Sequence, residues 1–419
     1  MTIQARLVIG DASLGNNNGF LSAYSRAVKS ELAALGVECV VIAFDKDRPG
    51  QFLKALIKET AAPDTIFLGN VFFYDLGVYS QNHYDCFSLF EALNIPVIAR
   101  VDDDPYTKFM WPRLNRSPAN ALHVASHPGM IGFSRLMFPR LKNWEFLPNC
   151  IMIPDEDAAP GDREIDLLVP LSKSLGPDVN SVLRLAKEHS DAAYGLCHHI
   201  AEGIRARHGQ VDLFDLFQEY RSVNGHQFTA IGREGVAGVF THMSAMDQAL
   251  RKERRHAYLS CLGEINPEWN IVVVGTPAVG DATGKNITYM APTHVTELWK
   301  LFYKSKAVLN VHPNTARAAH DRVGNSMAGG CASVTDPTLF LEREFVDRED
   351  VVFVRSPKEL VQCSYSLTKD DLVRIGKRSA GKARRMFSVH KHLQDMSRRT
   401  VNLFGRMLVP DASLAEEPT

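Results

Sequence analysis

The sequence has few cysteines, almost no net charge and no long apolar segment, and each shortage excludes a class of protein. The seven cysteines are scattered over 419 residues and never form a C-x-x-C pair, which argues against a disulfide framework or a zinc site. The 47 basic and 48 acidic residues nearly cancel, so the total charge does not indicate a nucleic acid as partner.

No apolar run approaches the roughly 18 residues that a membrane-spanning helix needs, which leaves at most peripheral contact with a membrane. The N-terminal segment MTIQARLVIG lacks the basic start and the long apolar centre of a secretory signal. Together with the scattered cysteines, these features predict a protein of the reducing cytoplasm.

Short apolar runs alternate with helical periodicity twice along the chain, which is typical of α/β domains. The predicted strands are 6–10, 37–44, 64–68, 95–101, 121–125 and 144–147 in the first series, and 165–170, 270–274, 287–290, 307–311, 331–334 and 351–354 in the second. The length suits two domains. We therefore predict an α/β fold of two Rossmann-like, doubly wound domains that face a cleft, with a helical elaboration in the second made of helices at 179–208, 212–223 and 236–262.

One segment organises the second series, AVLNVHPNTARAAHDRVGNSMAGGCASVTD at residues 307–336. Its pattern predicts a buried strand, a polar loop at 312–316, a helix over 318–328 that Gly329 and Gly330 end, and a second strand. Open α/β sheets bind ligands in such a loop, and the free N–H groups of the helix start suit a phosphate.

This segment resembles the nucleotide-sugar-binding segment of group 1 glycosyltransferases with the GT-B fold, especially the branch related to spore-maturation proteins. The matching residues are Leu309, Asn310, Val311, His312, Arg322, Val323, Met327, Ala328, Gly329, Gly330, Thr335 and Asp336. The family usually has a glutamate where this chain has Asn325, and many retaining members have another where it has Arg317.

The resemblance implies a role for each domain. Residues 1–155 form an N-terminal Rossmann-like acceptor domain, and residues 164–390 form a C-terminal Rossmann-like donor domain. A helix at 391–408 crosses back onto the first domain, and residues 410–419 are a disordered tail. The acidic segment 155–163 is rich in proline, glycine and alanine, as expected of a domain boundary.

The resemblance also implies a set of donor-binding residues. They are Lys173, Gly275, His312, Asn314, Arg317, Arg322, Asn325 and Ser326. Lys173, Arg317 and Arg322 are expected to neutralise the diphosphate without an essential metal. His312 is expected to donate to a sugar hydroxyl or a phosphate, and Asn325 to bind the ribose. The basic cluster at 252–255 is interpreted as a solvated helix face, or as a docking site near an anionic lipid-linked acceptor.

The acidic triplet at 102–104 follows a predicted strand of the first domain. One interpretation is a D-x-D metal site, which is the signature of the other glycosyltransferase fold. The interpretation that we favour is a metal-independent enzyme in which Asp102 or Asp104 acts on the acceptor side, since crowded carboxylates raise one another's pKa. His127 lies at the corresponding edge and suits a general base. The predicted catalytic residues are therefore Asp102, Asp104 and His127.

The loop at 15–19 joins the first predicted strand to the first predicted helix. Its residues Gly15, Asn17 and Gly19 are interpreted as a phosphate or acceptor loop, or as a plain turn. It does not match G-x-G-x-x-G, so a dinucleotide is not implied.

These expectations describe a glycosyltransferase that moves a sugar from a nucleotide-sugar donor to a glycan, a lipid-linked or a protein acceptor. Its co-substrate is the nucleotide sugar, and no cofactor or metal is expected. Two alternatives stay open. One is a catalytically silent relative that binds a nucleotide sugar or a glycan, motivated by Asn325 and Arg317. The other is a nucleotide-sugar epimerase of the same fold.

Overall fold

The computed structural model describes residues 3–11, 19–44, 48–70, 73, 77–79, 86–154, 163–171, 176–275 and 282–410. The chain forms two compact units. Unit 1 comprises Met1–Pro105, Phe109–Pro154 and Arg385–Thr419, and unit 2 comprises Tyr106–Lys108 and Asp155–Arg384.

The elements before residue 150 belong to unit 1. They are β1 (Ile3–Gln4), β2 (Arg6–Asp11), α1 (Phe20–Ala34), β3 (Cys39–Ala43), α2 (Pro49–Glu59), β4 (Thr65–Asn70), β5 (Gly77–Tyr79), β6 (Cys86–Ser88), α3 (Leu89–Ala92), β7 (Val97–Val101), α4 (Trp111–Arg116), β8 (Leu122–Ala125), α5 (Pro128–Met137) and β9 (Trp144–Phe146).

The elements that follow form most of unit 2 and then the C-terminal part of unit 1. They are β10 (Ile165–Val169), α6 (Val179–His189), α7 (Asp191–Arg207), α8 (Leu213–Ser260), β11 (Ile271–Val274), β12 (Ile287–Met290), α9 (Val295–Tyr303), β13 (Ser305–Asn310), α10 (Asp321–Ala328), β14 (Ala332–Thr335), α11 (Leu339–Glu344), β15 (Val352–Phe353), α12 (Pro357–Ser366), α13 (Lys369–Met386), α14 (Val389–Phe404) and β16 (Arg406–Met407).

Unit 1 is built on a parallel sheet in the order β3-β2-β4-β7-β8-β9. Numbered within the sheet, this is 2-1-3-4-5-6, so the winding reverses between β2 and β4, as in flavodoxin-like domains. All six residues of β4 are buried, because a central parallel strand is covered on both faces. Aromatic rings fill part of this core, with Phe52 stacked on Phe73 at 5.2 Å.

Unit 2 is built on a second parallel sheet in the order β12-β11-β10-β13-β14-β15. Within the sheet this is 3-2-1-4-5-6, the Rossmann order, and the winding reverses between β10 and β13. Each of the twelve predicted strands corresponds to a strand of one of these sheets. The α/β class and the two doubly wound domains are thus confirmed.

The helical elaboration in unit 2 differs in detail from the prediction. The expected helix at 179–208 is divided at Ser190, whose extended backbone lets its hydroxyl accept the N–H of Ala193. The two helices expected at 212–223 and 236–262 are one helix, α8. The predicted gap at 224–235 contains glycines such as Gly225, but each costs only about 1 kcal/mol in a helix. The packing of α8 along α7 outweighs that cost.

The described part of the organising segment follows the predicted order of elements. The helix α10 begins at Asp321, three residues later than predicted, because His320 adopts an extended backbone as its N-cap. Gly330 has a φ of 76° and ends the helix in the left-handed conformation, as expected of a glycine there. Among the described helices, none has the length and apolarity to cross a membrane.

Candidate functional site

The polar loop after β13 is fastened to α8 by a short hydrogen-bond network. Asn314 donates to the Oδ1 of Asp247 at 2.6 Å and accepts from Arg254 at 2.8 Å. Arg254 also donates to the carbonyl oxygen of His312 at 3.0 Å. The loop therefore lies in a defined position at the point where the winding of the sheet reverses.

His312, at the start of this loop, is buried without hydrogen-bond partners. Its side chain is 1% exposed, and neither ring nitrogen has a partner among the described residues. Burial lowers its pKa to about 3, so the ring is neutral near pH 7. An unsatisfied buried polar group costs about 1–3 kcal/mol. The geometry therefore favours a water or a ligand group beside this ring.

The start of α10 lies next to His312. The rings of His312 and His320 are 6.4 Å apart and perpendicular. His320 caps the helix by accepting the backbone N–H of Arg322 at 3.2 Å, and its Nδ1 lies 2.6 Å from Asp321. The first turn of a helix carries a partial positive charge. The loop and the helix start thus combine N–H donors with a neutral imidazole.

Two arginines beside this helix start lack a carboxylate partner. Arg322 on α10 and Arg255 on α8 form no ion pair or side-chain hydrogen bond in the described part of the chain. Burial lowers the pKa of Arg322, and the neighbouring charge of Asp321 offsets part of that shift. The pKa of Arg255 is lowered to about 10, mainly by burial and next by the nearby positive charge of Arg322. Two partly desolvated guanidinium groups that repel each other are suited to bind a dianion.

The sequence interpretation did not place Arg255 in the donor site; it took the cluster at 252–255 as a solvated helix face, or as a docking site near an anionic lipid-linked acceptor. The neighbours of Arg255 on α8 show why the assignment was incomplete: Arg251 pairs with Asp247 at 2.7 Å, and Arg254 bonds the loop after β13. Residues 251, 254 and 255 share one helix face by their spacing. That spacing was visible in the sequence, but what the face packs against was not.

The other predicted donor residues have different surroundings. Arg317 pairs with Asp215 at 2.9 Å, at the start of α8. Asn325 and Ser326 are buried inside α10, where Asn325 donates to the carbonyl of Asp321 at 2.8 Å and Ser326 to that of Val323 at 3.1 Å. Gly275 follows β11, and its N–H donates to the carbonyl oxygen of Met290 at 2.9 Å. Lys173 lies outside the described residues.

The structure therefore brings together His312, Asn314 and Arg322 around the loop after β13 and the start of α10. A further buried pair lies close to this loop: His208 is 2.6 Å from one oxygen of Asp336, and the other oxygen has no partner among the described residues. The charges of Asp336 and His208 both act on His312.

The predicted catalytic residues lie in unit 1 after β7 and β8. The Nε2 of His127 is 2.9 Å from the Oδ1 of Asp104, while its Nδ1 is buried and has no partner in the described residues. Asp102 is held differently: it accepts from Asn70 at 2.6 Å and from Arg100 at 2.5 Å. Asp104 and His127 thus form an oriented pair, and Asp102 belongs to a separate ionic contact.

The loop at 15–19 is described only at its end. Gly19 has a φ of 75° immediately before α1, a conformation that favours glycine. Gly15 and Asn17 lie outside the described residues. Among the described residues, no group of three or more His, Cys, Asp and Glu side chains could hold a metal ion.

Comparisons with known proteins give one family and one fold. Residues 249–398 match the model of a family described as glycosyl transferase-like. No curated protein matches the sequence. The structure is similar to sucrose-phosphate synthase from Thermosynechococcus elongatus, with a TM-score of 0.51 and 10% identity over 96% of this chain and 99% of that chain. It also matches HepE of Anabaena in complex with UDP-glucose, with a TM-score of 0.46 and 10% identity over 95% of this chain and 99% of that chain.

Proposed function

We propose a donor site and an acceptor-side base for this chain, which is a glycosyltransferase of the GT-B fold by its family match over residues 249–398 and its two doubly wound domains. The donor is a nucleotide sugar, bound by unit 2. The acceptor is a hydroxyl of a glycan, a lipid-linked saccharide or a protein, and unit 1 activates it. No metal ion takes part.

Arg255 and Arg322, which form no ion pair among the residues that the structure describes, carry this proposal. In the free protein both charges are partly desolvated, which lowers each pKa; the charge of Arg322 lowers the pKa of Arg255 further, while Asp321 partly offsets the shift of Arg322. A nucleoside diphosphate would supply two negative charges and reverse that penalty. The start of α10 adds N–H donors to the same anion. Structural arginines elsewhere in unit 2, such as Arg205 with Glu253 at 2.8 Å, have carboxylate partners.

The same residues suit the chemistry of transfer. As the bond between the sugar C1 and the phosphate oxygen breaks, negative charge accumulates on the diphosphate. Fixed cations stabilise this leaving group more than the intact donor. Because Arg255 and Arg322 supply the positive charge, a divalent cation is not required. His312 is neutral and can donate one hydrogen bond to the donor.

The pair Asp104 and His127 supports a general base for the acceptor. Asp104 holds Nε2 of His127, which leaves the lone pair of Nδ1 for a proton. The acceptor hydroxyl would lose its proton to Nδ1 as its oxygen bonds to C1 of the sugar, and Asp104 would stabilise the imidazolium. Asp102 is already neutralised by Arg100, so it would not act as the base.

Charge-neutralising variants test the donor site. Arg255→Gln and Arg322→Gln should each weaken binding of the cognate nucleoside diphosphate at least tenfold, with EDTA present, because a charge-assisted phosphate contact is lost. Neither should lower the melting temperature of the free protein, because each removes a repelling charge. Calorimetric titration with UDP, GDP and TDP, beside thermal melts, measures both.

Arg205→Gln is the matched control, since Arg205 is a paired, exposed arginine of unit 2 and should leave nucleotide binding unchanged. Normal affinity in both site variants would refute the assignment. A lower melting temperature with normal affinity would make the two arginines structural. Binding that requires a divalent cation would refute the metal-independent part.

The second candidate is the catalytically silent relative. The two positions at which the resemblance expects glutamate are Arg317 and Asn325, and both are engaged within the fold. A silent protein would bind the nucleotide sugar and release no nucleotide, with or without acceptors. Release of nucleotide that His127→Ala abolishes would exclude this candidate.

A further inference from the structure

Polar atoms of three side chains in unit 2 are buried without a hydrogen-bond partner beside the proposed diphosphate site. Among the residues that the structure describes, these atoms are one oxygen of Asp336, Nδ1 of His208 and both ring nitrogens of His312. Leaving buried polar atoms unsatisfied is unfavourable, and the proposed mechanism uses only His312. We name these three residues the polar cluster.

The fold assembles the polar cluster at the carboxyl edge of the second sheet. His312 follows β13 and Asp336 follows β14, and these parallel strands are neighbours, with Asn310 opposite Thr335. The charges of Asp336 and His208 both act on the ring of His312. The three side chains are therefore close enough to share one ligand.

His208 reaches this edge from the helical elaboration. The next residue, Gly209, has a φ of 77°, and a Cβ built on it would lie 1.9 Å from the carbonyl oxygen of Pro337. The carbonyl oxygen of Gly209 accepts the N–H of Leu339 at 3.1 Å. Because residue 209 is a glycine, the backbone after α7 can lie against the segment after β14. This contact places Nε2 of His208 2.6 Å from Asp336.

Burial and hydrogen bonding set the charge states of this pair. Burial lowers the pKa of His208, and the hydrogen bond with Asp336 offsets part of that shift. Burial alone would raise the pKa of Asp336, but the hydrogen bond from His208 and the charge of Arg254 lower it below its ordinary value. At pH 7 Asp336 is therefore a carboxylate, and His208 is a neutral ring that donates from Nε2. Its Nδ1 then carries a lone pair.

The donors and acceptors of the polar cluster define the ligand that matches it. The second oxygen of Asp336 and the Nδ1 of His208 only accept hydrogen bonds, and the neutral ring of His312 has one acceptor and one donor. The cluster thus accepts more hydrogen bonds than it donates. Hydroxyl groups match it, because each has a proton to donate and lone pairs that accept. A phosphate or carboxylate group of a ligand only accepts, so neither matches.

The polar cluster adjoins the start of α10. The ring of His312 lies 6.4 Å from that of His320, which caps this helix beside Arg322. In a nucleotide sugar the sugar is bonded directly to the diphosphate. A diphosphate held by Arg322 and the helix start would therefore carry its sugar next to the polar cluster.

We infer that the polar cluster binds the sugar of the donor, and that this sugar turns free hydroxyl groups toward Asp336, as a neutral hexose does. This inference rests on the proposed function and names the class of its donor. Hydrogen bonds to a carboxylate are charge-assisted and strong. A site built to bond a hydroxyl group rejects an analogue that lacks it, because its own polar atoms then stay unpaired. Asp336 and His208 thus determine specificity.

Deoxyfluoro analogues of the donor, combined with Asp336→Asn, test this inference by calorimetric titration. The reference donor is the one among UDP-glucose, UDP-galactose, GDP-mannose and TDP-glucose that binds wild type most tightly. Fluorine at C2, C3, C4 or C6 removes one proton donor with little change in size. At one position or more, the analogue should bind wild type at least tenfold more weakly than the reference donor. The same fluorine should have less than a twofold effect in Asp336→Asn, because the carboxylate that it deprives of a partner is absent.

Two further variants make the comparison specific. His208→Gln, whose amide can still donate to Asp336, should reduce the effect of that fluorine at least threefold. The matched control is Asp350→Asn, which changes another buried carboxylate of unit 2, one that accepts from Arg378 and Lys382 at 2.9 Å each. The control should retain the full effect of the fluorine. Thermal melts verify that each variant is folded, and the wild-type titrations are decisive without any variant.

Binding of the free nucleoside diphosphate separates this inference from the proposed function. It should stay within twofold of wild type in Asp336→Asn. If no nucleoside diphosphate binds wild type, the donor site itself is wrong. If the diphosphate binds but no fluorine weakens binding of the sugar form, only the role of the polar cluster is wrong. Effects of the fluorine and of Asp336→Asn that simply multiply would also overturn that role.

Discussion

Arg255 and Arg322 are partly buried charges for which the described residues supply no ion-pair partner. Natural proteins retain such destabilising arrangements where a ligand later supplies the missing partner. Arg254, only one residue before Arg255, is fully used by the loop after β13. Adjacent residues on one helix therefore have separate tasks, one structural and one available for a ligand.

Asp104 is expected to affect the rate of transfer. Asp104→Asn removes the carboxylate that orients His127 and stabilises its protonated form, so transfer should slow by about a hundredfold or more. Nucleotide binding should stay within twofold of wild type, because the donor residues are in unit 2. Single-turnover assays beside nucleotide titration separate these effects. A variant with normal transfer would remove His127 and Asp104 from the mechanism.

Asp102 is expected to affect stability. Arg100 is buried, and its guanidinium lies 3.9 Å from the centre of the Tyr24 ring. Asp102 supplies the negative charge that balances it. Asp102→Asn leaves that guanidinium without its anion, which should lower the free energy of unfolding by about 3 kcal/mol. Urea denaturation at neutral pH measures this change. If Asp102→Asn is as stable as wild type but no longer transfers sugar, Asp102 is a catalytic residue, as the sequence predicted.

Among the elements, α13 depends on one close approach to the second sheet. A Cβ added at Gly376 would lie 2.2 Å from the carbonyl oxygen of Gly330, just before β14. Because that atom belongs to the backbone, the helix must move. Gly376→Ala should therefore lower the free energy of unfolding by about 2 kcal/mol or more.

Gly225→Ala, in the middle of α8, is the control for this prediction. No atom lies within 4 Å of a Cβ built there, so alanine should leave stability unchanged or raise it by up to about 1 kcal/mol. Urea denaturation of both variants gives the comparison. If the two variants have equal stability, α13 does not depend on the close contact at Gly376.

For the whole molecule, buried neutral histidines limit stability in acid. Burial lowers the pKa of His123, His312 and His392 to about 3 each, whereas an unfolded histidine titrates near 6.5. Above pH 6.5 both states are neutral and the contribution is fully present. As the pH falls below 6.5 the unfolded state binds protons that the folded state does not, so stability decreases until about pH 3.

The expected loss is about 2 kcal/mol for each of these histidines between pH 6.5 and 5. Unfolding free energies at pH 8, 6.5 and 5 measure it, above the range in which ordinary carboxylates titrate. His392→Gln, whose amide can still bond the hydroxyl of Tyr24, should reduce the loss by about a third. An unaltered pH dependence in this variant would show that His392 is protonated in the folded state.

The sequence by itself determined the two sheets, because apolar runs of four to eight residues that are bounded by polar loops and alternate with helical segments are typical of buried parallel strands. It also determined the loop after β13 and the C-terminal end of α10, where Gly330 acts through local backbone geometry. These features depend on contacts between near neighbours in the chain, which the sequence displays directly.

Only the tertiary structure decided which charges stay unpaired. Whether Arg255, Arg317 and Arg322 meet a carboxylate depends on residues far along the chain, and the sequence does not show that Asp215 neutralises Arg317 while Arg255 faces Arg322. The continuity of α8 was decided in the same way, by its packing on α7. Long-range contacts select among local alternatives of similar free energy, and for this reason the fold could be predicted while the partners of its charges could not.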